Sequence, residues 1–334
     1  MAQLRNCCTI GLLALLAGCN VMSPGDDQAA GSAPPVSRPA AIPADDAPDE
    51  TPRPAEQLAW QKARVDSLTA ADGWTSLIAL YRVDLKSHFI GSSGGTGMRL
   101  AFGPPRLGLL QQSGGGYWFT PERGVAVTLD GNPVQGRVRL YTDADDQPTP
   151  GTIGFDDGKG AITLIKRGGV TFLRARHEDA PARAAFSGID YWPYSTKWQV
   201  EATFEPGAEG ATLPIASLVG VVEDMPTPGT VTFERDGMRH SLQALANDDG
   251  SLFLIFADRT SGHGSYSAGR YLDAPAPDAD GHVRLDFNQS YNPPCAFTDF
   301  ATCPLPPDAN RLDLAVPAGE KAYHAPEAQA AADA

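Results

Sequence analysis

Basic residues are scarce in this chain of 334: 26 Lys and Arg stand against 40 Asp and Glu, a net charge of −14. A nucleic-acid binder needs a basic face to neutralise phosphates, so that partner is excluded. The acidic residues are spread rather than blocked, and they serve solubility. A mature spanning helix of about 20 apolar residues is missing: the run Thr9–Ala17 is far too short to cross a bilayer. Helical crossovers between strands are missing too, which argues against a parallel α/β sheet. No Gly-x-Ser-x-Gly elbow is present. The glycine-rich stretches "SSGGTG" and "SGGG" are not followed by Lys-Ser/Thr, so they are not phosphate loops. Cysteine is sparse, at five residues, and Cys295 and Cys303 have no His between them. Close Cys pairs with a second pair or histidines, the usual zinc pattern, are therefore lacking. Nothing in the sequence implies a metal or a cofactor.

What is present begins with an address. Arg5 and the α-amine give a short positive start, and the run Thr9–Ala17 follows. This is the pattern of a signal peptide over residues 1–18. Its end, Leu16-Ala17-Gly18-Cys19, resembles the lipobox of bacterial lipoproteins. The resemblance implies cleavage before Cys19, a diacylglyceryl group on its thiol and acylation of its new amine. Several buried chains suffice for stable anchoring. Cys7 and Cys8 leave with the signal. Asn20, in place of the Asp that commonly retains lipoproteins in the inner membrane, leans toward the outer membrane. Residues 19–53 are Pro, Ala, Ser, Gly and Asp with almost no large apolar side chain. Nothing there offsets the entropy of ordering, so this stretch reads as a disordered tether.

The full chain is 42% hydrophobic and 20% charged, enough for a sizeable core. Pro54 can open a helix, and "AEQLAWQKARVDSL" sets Trp60, Arg64 and Leu68 at i, i+4 and i+8. Asp72-Gly73 ends it, and Trp60 is expected to pack against the sheet that follows. After Trp74 the pattern becomes short alternating runs with frequent glycine, among them "TSLIALYRVD", "VAVTLDGNPVQG" and "VTFLRARH". Asp130-Gly131 and Asp236-Gly237 stand between apolar runs as hairpin turns. The expected fold is all-β, with two sandwich- or barrel-like domains at 54–187 and 188–323 and a frayed tail at 324–334.

"DFNQSYNPPCAF", "ATCPLPPDANRL" and "AGEKAY" resemble the C-terminal signature of the bacterial domain-of-unknown-function 1684 family. "DGWTSLIALYRV", "GSS" before "MRL", and "GRYLDAP" fit it as well. The resemblance implies no particular reaction. In the first half, "FIGSSGGTGMRLAF" and "VTLDGNPVQG" resemble forkhead-associated domains. Such domains hold phosphothreonine through an Arg after the first Gly and a Ser-x-x-His motif. Here Ser92 follows Gly91, no Ser-x-x-His follows, and Asp130-Gly131 replaces Asn-Gly. The resemblance therefore implies the sandwich topology without the phosphate's cationic partner.

The stretch "YNPPCAFTDFATCPLPP", 291–307, holds Cys295, Cys303 and five prolines. Prolines this dense forbid a helix and break a strand ladder, so it is a stiff loop. A disulfide suits an oxidising envelope and would contribute at most about 2.5 kcal/mol by chain entropy. Buried thiols, a metal pair and a nucleophile are the alternatives. In "HVRLDFNQ" the strand period puts Arg284, Asp286 and Asn288 on one face. If the loop folds back over the sheet, Arg270, Asp286, Asn288, Asn292 and Arg311 converge as a polar pocket. The alternative is a hydrogen-bonded network holding a proline-rich loop. In "ADRTSGHGSY", Asp258, Ser261 and His263 lie close but read as turn chemistry. The expected function is an envelope binding module for a small molecule, glycan or protein partner, moored to the membrane at Cys19. The alternative is an envelope hydrolase with Asp286 as general base.

Overall fold

The computed structural model describes residues 52–147 and 151–325. The signal, lipidation at Cys19 and almost all of the tether lie outside these residues, as does most of the expected tail. Helix α1, Ala55–Thr69, starts behind Pro54 as its spacing requires. Its packing differs from expectation. Trp60 meets Tyr191 edge to face at 6.3 Å, and Arg64 reaches Glu320, so the helix docks on the second half of the chain rather than on the sheet that follows it. Long-range partners decide this: Gln57 donates to the Asn288 carbonyl, and Arg64 donates to Glu320 and to the Asn292 carbonyl.

Eleven strands follow: β1 (Leu77–Arg82), β2 (Ser87–Gly91), β3 (Met98–Arg99), β4 (Gly108–Ser113), β5 (Gly116–Pro121), β6 (Thr128–Leu129), β7 (Asn132–Pro133), β8 (Val138–Leu140), β9 (Ile153–Phe155), β10 (Gly160–Arg167) and β11 (Val170–His177). They form a six-stranded sheet, β1-β11-β10-β9-β6-β7, and a five-stranded sheet, β3-β2-β4-β5-β8. One apolar cluster joins them: Ile90, Leu110 and Phe119 from one sheet meet Ile153, Ile162, Leu164 and Leu173 from the other. This is a sandwich, with period-2 burial clearest at the start of β4 and of β10. The β6–β7 turn is tight because Asp130 and Gly131 take φ of 49° and 81°, the pairing that a two-residue hairpin demands.

The second set is β12 (Gln199–Pro206), β13 (Thr212–Ala216), β14 (Val222–Pro226), β15 (Gly229–Arg235), β16 (Met238–Ala246), β17 (Leu252–Phe256), β18 (Arg270–Ala274) and β19 (His282–Asp286). Six of these form an antiparallel sheet, β18-β17-β16-β15-β12-β19, while β13 and β14 pair as a separate hairpin. The sheet curls: inward residues of all six strands share one core, from Leu272 on one edge strand to Leu285 on the other. Alternate residues of the C-terminal segment, Leu312, Leu314, Val316 and Ala318, enter the same core. The fold is all-β, with α1 as its main helix.

Two apolar clusters join the two β bodies. Ile165 and Phe172 of the first meet Val221 beside the β13–β14 hairpin. Leu77 and Trp74 meet Ala301 and Cys303 of the proline-rich loop. At the β10–β11 turn, Gly168 has φ of 50°, and a Cβ there would come within 2.2 Å of Val221. Glycine is required here by both conformation and approach.

Candidate functional site

Strand β11 reads Val170, Thr171, Phe172, Leu173, Arg174, Ala175, Arg176, His177. Leu173 and Ala175 fill the first core, so the pleat turns Phe172, Arg174 and Arg176 outward. There Arg174 meets the cysteine loop. Its Nη2 donates to Thr302 Oγ1 at 3.3 Å, and its guanidinium lies 5.2 Å from the Trp74 ring centroid. Its Nε is buried and has no hydrogen-bond partner among the described residues. No carboxylate pairs with either Arg174 or Arg176 among the described residues, although the chain is strongly acidic. Burial pushes the Arg174 guanidinium down to about 10, helped by the charge of Arg167 and opposed by that of Asp143. It stays cationic at neutral pH, at an unrelieved cost in desolvation.

Trp74 and Arg174 stand between two cavities. One, of about 240 Å³, is mostly apolar and is walled by Ile215, Met225, Phe253, Tyr271 and the loop residues Ala301–Pro304. Glu223 and Arg167 also line it. The other, of about 440 Å³, is more polar and adds Arg176, Thr163, Ser67 and the exposed Asp72. The loop is pinned as a wall by backbone bonds to the hairpin, Leu218 N–H to Cys303 O at 3.0 Å and Leu305 N–H to Ala216 O at 2.8 Å. A cation in an apolar recess with free donor capacity is chemically an anion seat.

The residues singled out in the sequence lie elsewhere. Arg270 is fully buried, donating to Asp258 Oδ1 at 3.1 Å, to Val316 O at 2.8 Å and to Ala318 O. Asp286 accepts from Gln199 Nε2 at 2.9 Å through Oδ2, and from Asn288 Nδ2 at 2.8 Å through Oδ1. Asn288 is also clamped on Ser195, donating to its carbonyl at 2.9 Å and accepting from its N–H at 3.1 Å. The Asn292 N–H donates to Glu320 Oε2 at 2.7 Å and its Nδ2 to Lys321 O at 2.7 Å. The Arg311 side chain is exposed and 3.5 Å from Asp308. Among these five, the direct side-chain bond in the described residues is Asp286–Asn288. The structure does not bring Arg270 or Arg311 to Asp286. The loop leans on the β13–β14 hairpin instead of closing over β19, because its carbonyls and amides find partners there. In the 258–263 turn, the His263 ring meets the Ser261 carbonyl at 3.2 Å, and Asp258 caps Thr260.

Buried Glu320 is the counter-ion of α1. Arg64 Nε donates to its Oε1 at 2.9 Å, and Arg64 Nη2 donates to Asn292 O at 2.7 Å. Burial pushes the Glu320 carboxyl up, while Arg64 and the Asn292 N–H pull it back.

Cys295 and Cys303 lie at disulfide distance, with S–S 2.21 Å and Cα–Cα 6.1 Å. Such a Cα separation allows a covalent bridge without backbone movement. Alkylating the protein in denaturant is expected to label neither thiol before reduction and both after it. Labelling of both without reductant would exclude the bridge.

The site-forming arginines were not singled out in the sequence. The available signal was an Arg-Ala-Arg triplet inside a strand pattern, which puts two cations on one face.

Comparison with known proteins adds a family. Residues 184–321 match the family described as "Protein of unknown function (DUF1684)". The chain is similar to the solution NMR structure of the uncharacterized protein from gene locus rrnAC0354 of Haloarcula marismortui. The two share 35% sequence identity over 42% of this chain and 78% of that one, with a TM-score of 0.34. No curated protein matches the chain. The matched segment holds β12–β19, the cysteine loop and Glu320, whereas Arg174, Arg176 and α1 precede it. Through residues 184–321, this chain belongs to the DUF1684 family.

Proposed function

We propose that this protein is a binding module of the bacterial cell envelope that takes a small anion in the cleft beneath the cysteine loop. The observation that carries this reading is Arg174: a half-buried cation with an unpartnered Nε and no ion pair among the described residues. Arg176, two residues along the same strand face, supplies a second positive group to the adjoining cavity. Thr302 and Thr163 add hydroxyls. The rim carries negative charge at Glu223 and Asp72, which favours a ligand that reaches past it into the recess. Asp286 lies outside both cavities and has both carboxylate oxygens engaged, which does not favour it as a general base. In this reading the first sandwich is a wall of the cleft. Ser92 stands where forkhead-associated domains carry arginine, and its hydroxyl donates to Gly103 O at 2.8 Å.

Calorimetric titration with acetate and with inorganic phosphate tests the reading. A saturable heat is expected from at least one of them, and Arg174→Met should abolish it. No saturable binding by either anion, or by the amphiphiles named below, overturns the reading.

The proposed location is the outer membrane, through acyl groups on Cys19. Replacing Cys19 by Ser is expected to move the protein from the membrane fraction to the soluble one. An unchanged distribution, or an intact mass showing wild-type Cys19 without lipid, removes the anchor.

A further inference from the structure

We propose that the anion seated here is the head of a single-tailed amphiphile, with its carboxylate or phosphate on Arg174 and Arg176 and an aliphatic tail in the adjoining apolar chamber. This rests on the anion-binding reading above and names its ligand class. Three observations carry it.

First, the polar and apolar cavities adjoin through shared walls, Trp74 and Arg174. A ligand that satisfies Arg174 therefore has apolar surface beside it, and a head group alone would leave that chamber unfilled. Second, the chamber's apolar walls come from three elements, the hairpin residues Ile215 and Met225, the sheet residues Phe253 and Tyr271, and the loop, and it opens at the edge of the small cluster that Ile215 and Tyr271 share. Apolar walls with one charged end match an amphiphile's own division. Third, the aromatic faces are already engaged. Phe253 and Tyr271 pack edge to face at 5.0 Å, Tyr271 and Tyr291 do so at 5.7 Å, and Arg174 covers the Trp74 ring. Few flat faces are left to sandwich an aromatic ligand. Aliphatic Ile215 and flexible Met225 suit a tail that bends.

The carboxylate of a free fatty acid and the phosphate of a single-chain phospholipid share this chemistry. A matched series separates them: acetate, butanoate, hexanoate and octanoate against inorganic phosphate, butyl phosphate and octyl phosphate. Octanol serves as the tail without a head. All are titrated below their aggregation concentrations into the full-length protein. Affinity is expected to rise about two- to fourfold per methylene, since each buried CH₂ adds a constant increment. Octanol should bind at least tenfold more weakly than the better octyl anion. The better of the two octyl series identifies the head.

Met225 is partly exposed on a two-stranded hairpin and packs on the small Ile215–Tyr271 cluster, so Met225→Trp can narrow the chamber without entering the two large cores. This variant should flatten the chain-length dependence and leave acetate or phosphate binding intact. Equal affinity for short and long anions in the wild type overturns the amphiphile while leaving the anion seat standing. Octanol binding as tightly as octanoate and octyl phosphate removes the head from the arginines. Failure of every anion in the series removes both proposals.

Discussion

Arg270→Ala lowers the melting temperature by roughly 6–15 °C. Arg270 has no exposed surface and carries the charge that neutralises Asp258, itself buried. Its guanidinium also holds the carbonyls of Val316 and Ala318, so it fastens the C-terminal segment to β18. Truncation leaves a buried carboxylate without its cation and two carbonyls without their donor. Breaking such a pair from one side costs about 3–5 kcal/mol. The segment it releases contributes Leu312, Leu314, Val316 and Ala318 to the main core, so the loss spreads beyond the polar groups. A double variant, Arg270→Met with Asp258→Asn, should lose less than the sum of the two single losses, because neither charge is then stranded. A drop of under 2 °C for Arg270→Ala, measured by calorimetry, would show that the pair does not hold the segment.

Arg174→Met should do the opposite. It raises the melting temperature by roughly 2–6 °C while abolishing the response to anions. The sign follows from its environment. Burial holds the folded guanidinium to about 10, below its ordinary value, so the folded protein gives up this proton more readily than the unfolded chain. Below about pH 10 the charged form therefore costs folding free energy, and this cost fades as pH rises from there to the unfolded value. Partial exposure screens the effect, leaving about 1–2 kcal/mol. A thioether of similar reach keeps the contact with Trp74 and removes the cost. An anion seated on Arg174 removes the same cost in the wild type, so wild-type stability should rise with anion and the variant's should not. A variant that is less stable than wild type would mean that Arg174 is a structural tie.

The elements legible in the sequence are those fixed by neighbours in the chain. Asp130-Gly131 and Asp236-Gly237 form the turns expected of them, because positive φ at two adjacent positions is a local demand. The all-β class followed from alternation alone. Helix α1 was legible in its start but not in its partner, since Tyr191 and Glu320 lie 131 and 256 residues away. The same distance hid the cleft. Nothing near Arg174 in the chain announces Thr302, which is 128 residues on. Alternation gave two arginines one face of a strand, but it could not say whether that face met water or another body. Asp286, Asn288 and Asn292 stood out as a dense run of polar groups. In the folded protein that density answers to backbone: Ser195, Lys321 and the turn at the end of β19.

Helix α1 has a bearing on how the chain can be cut. The recognisable stretch starts at residue 184, yet the positive charge that makes Glu320 tolerable inside it comes from Arg64, well upstream. Gln57 of the same helix also holds the Asn288 carbonyl, at 2.8 Å. A piece trimmed to the family borders would carry a sealed-in acid with its antidote removed. What looks in sequence like a portable module is, in electrostatic terms, only one half of a clasp.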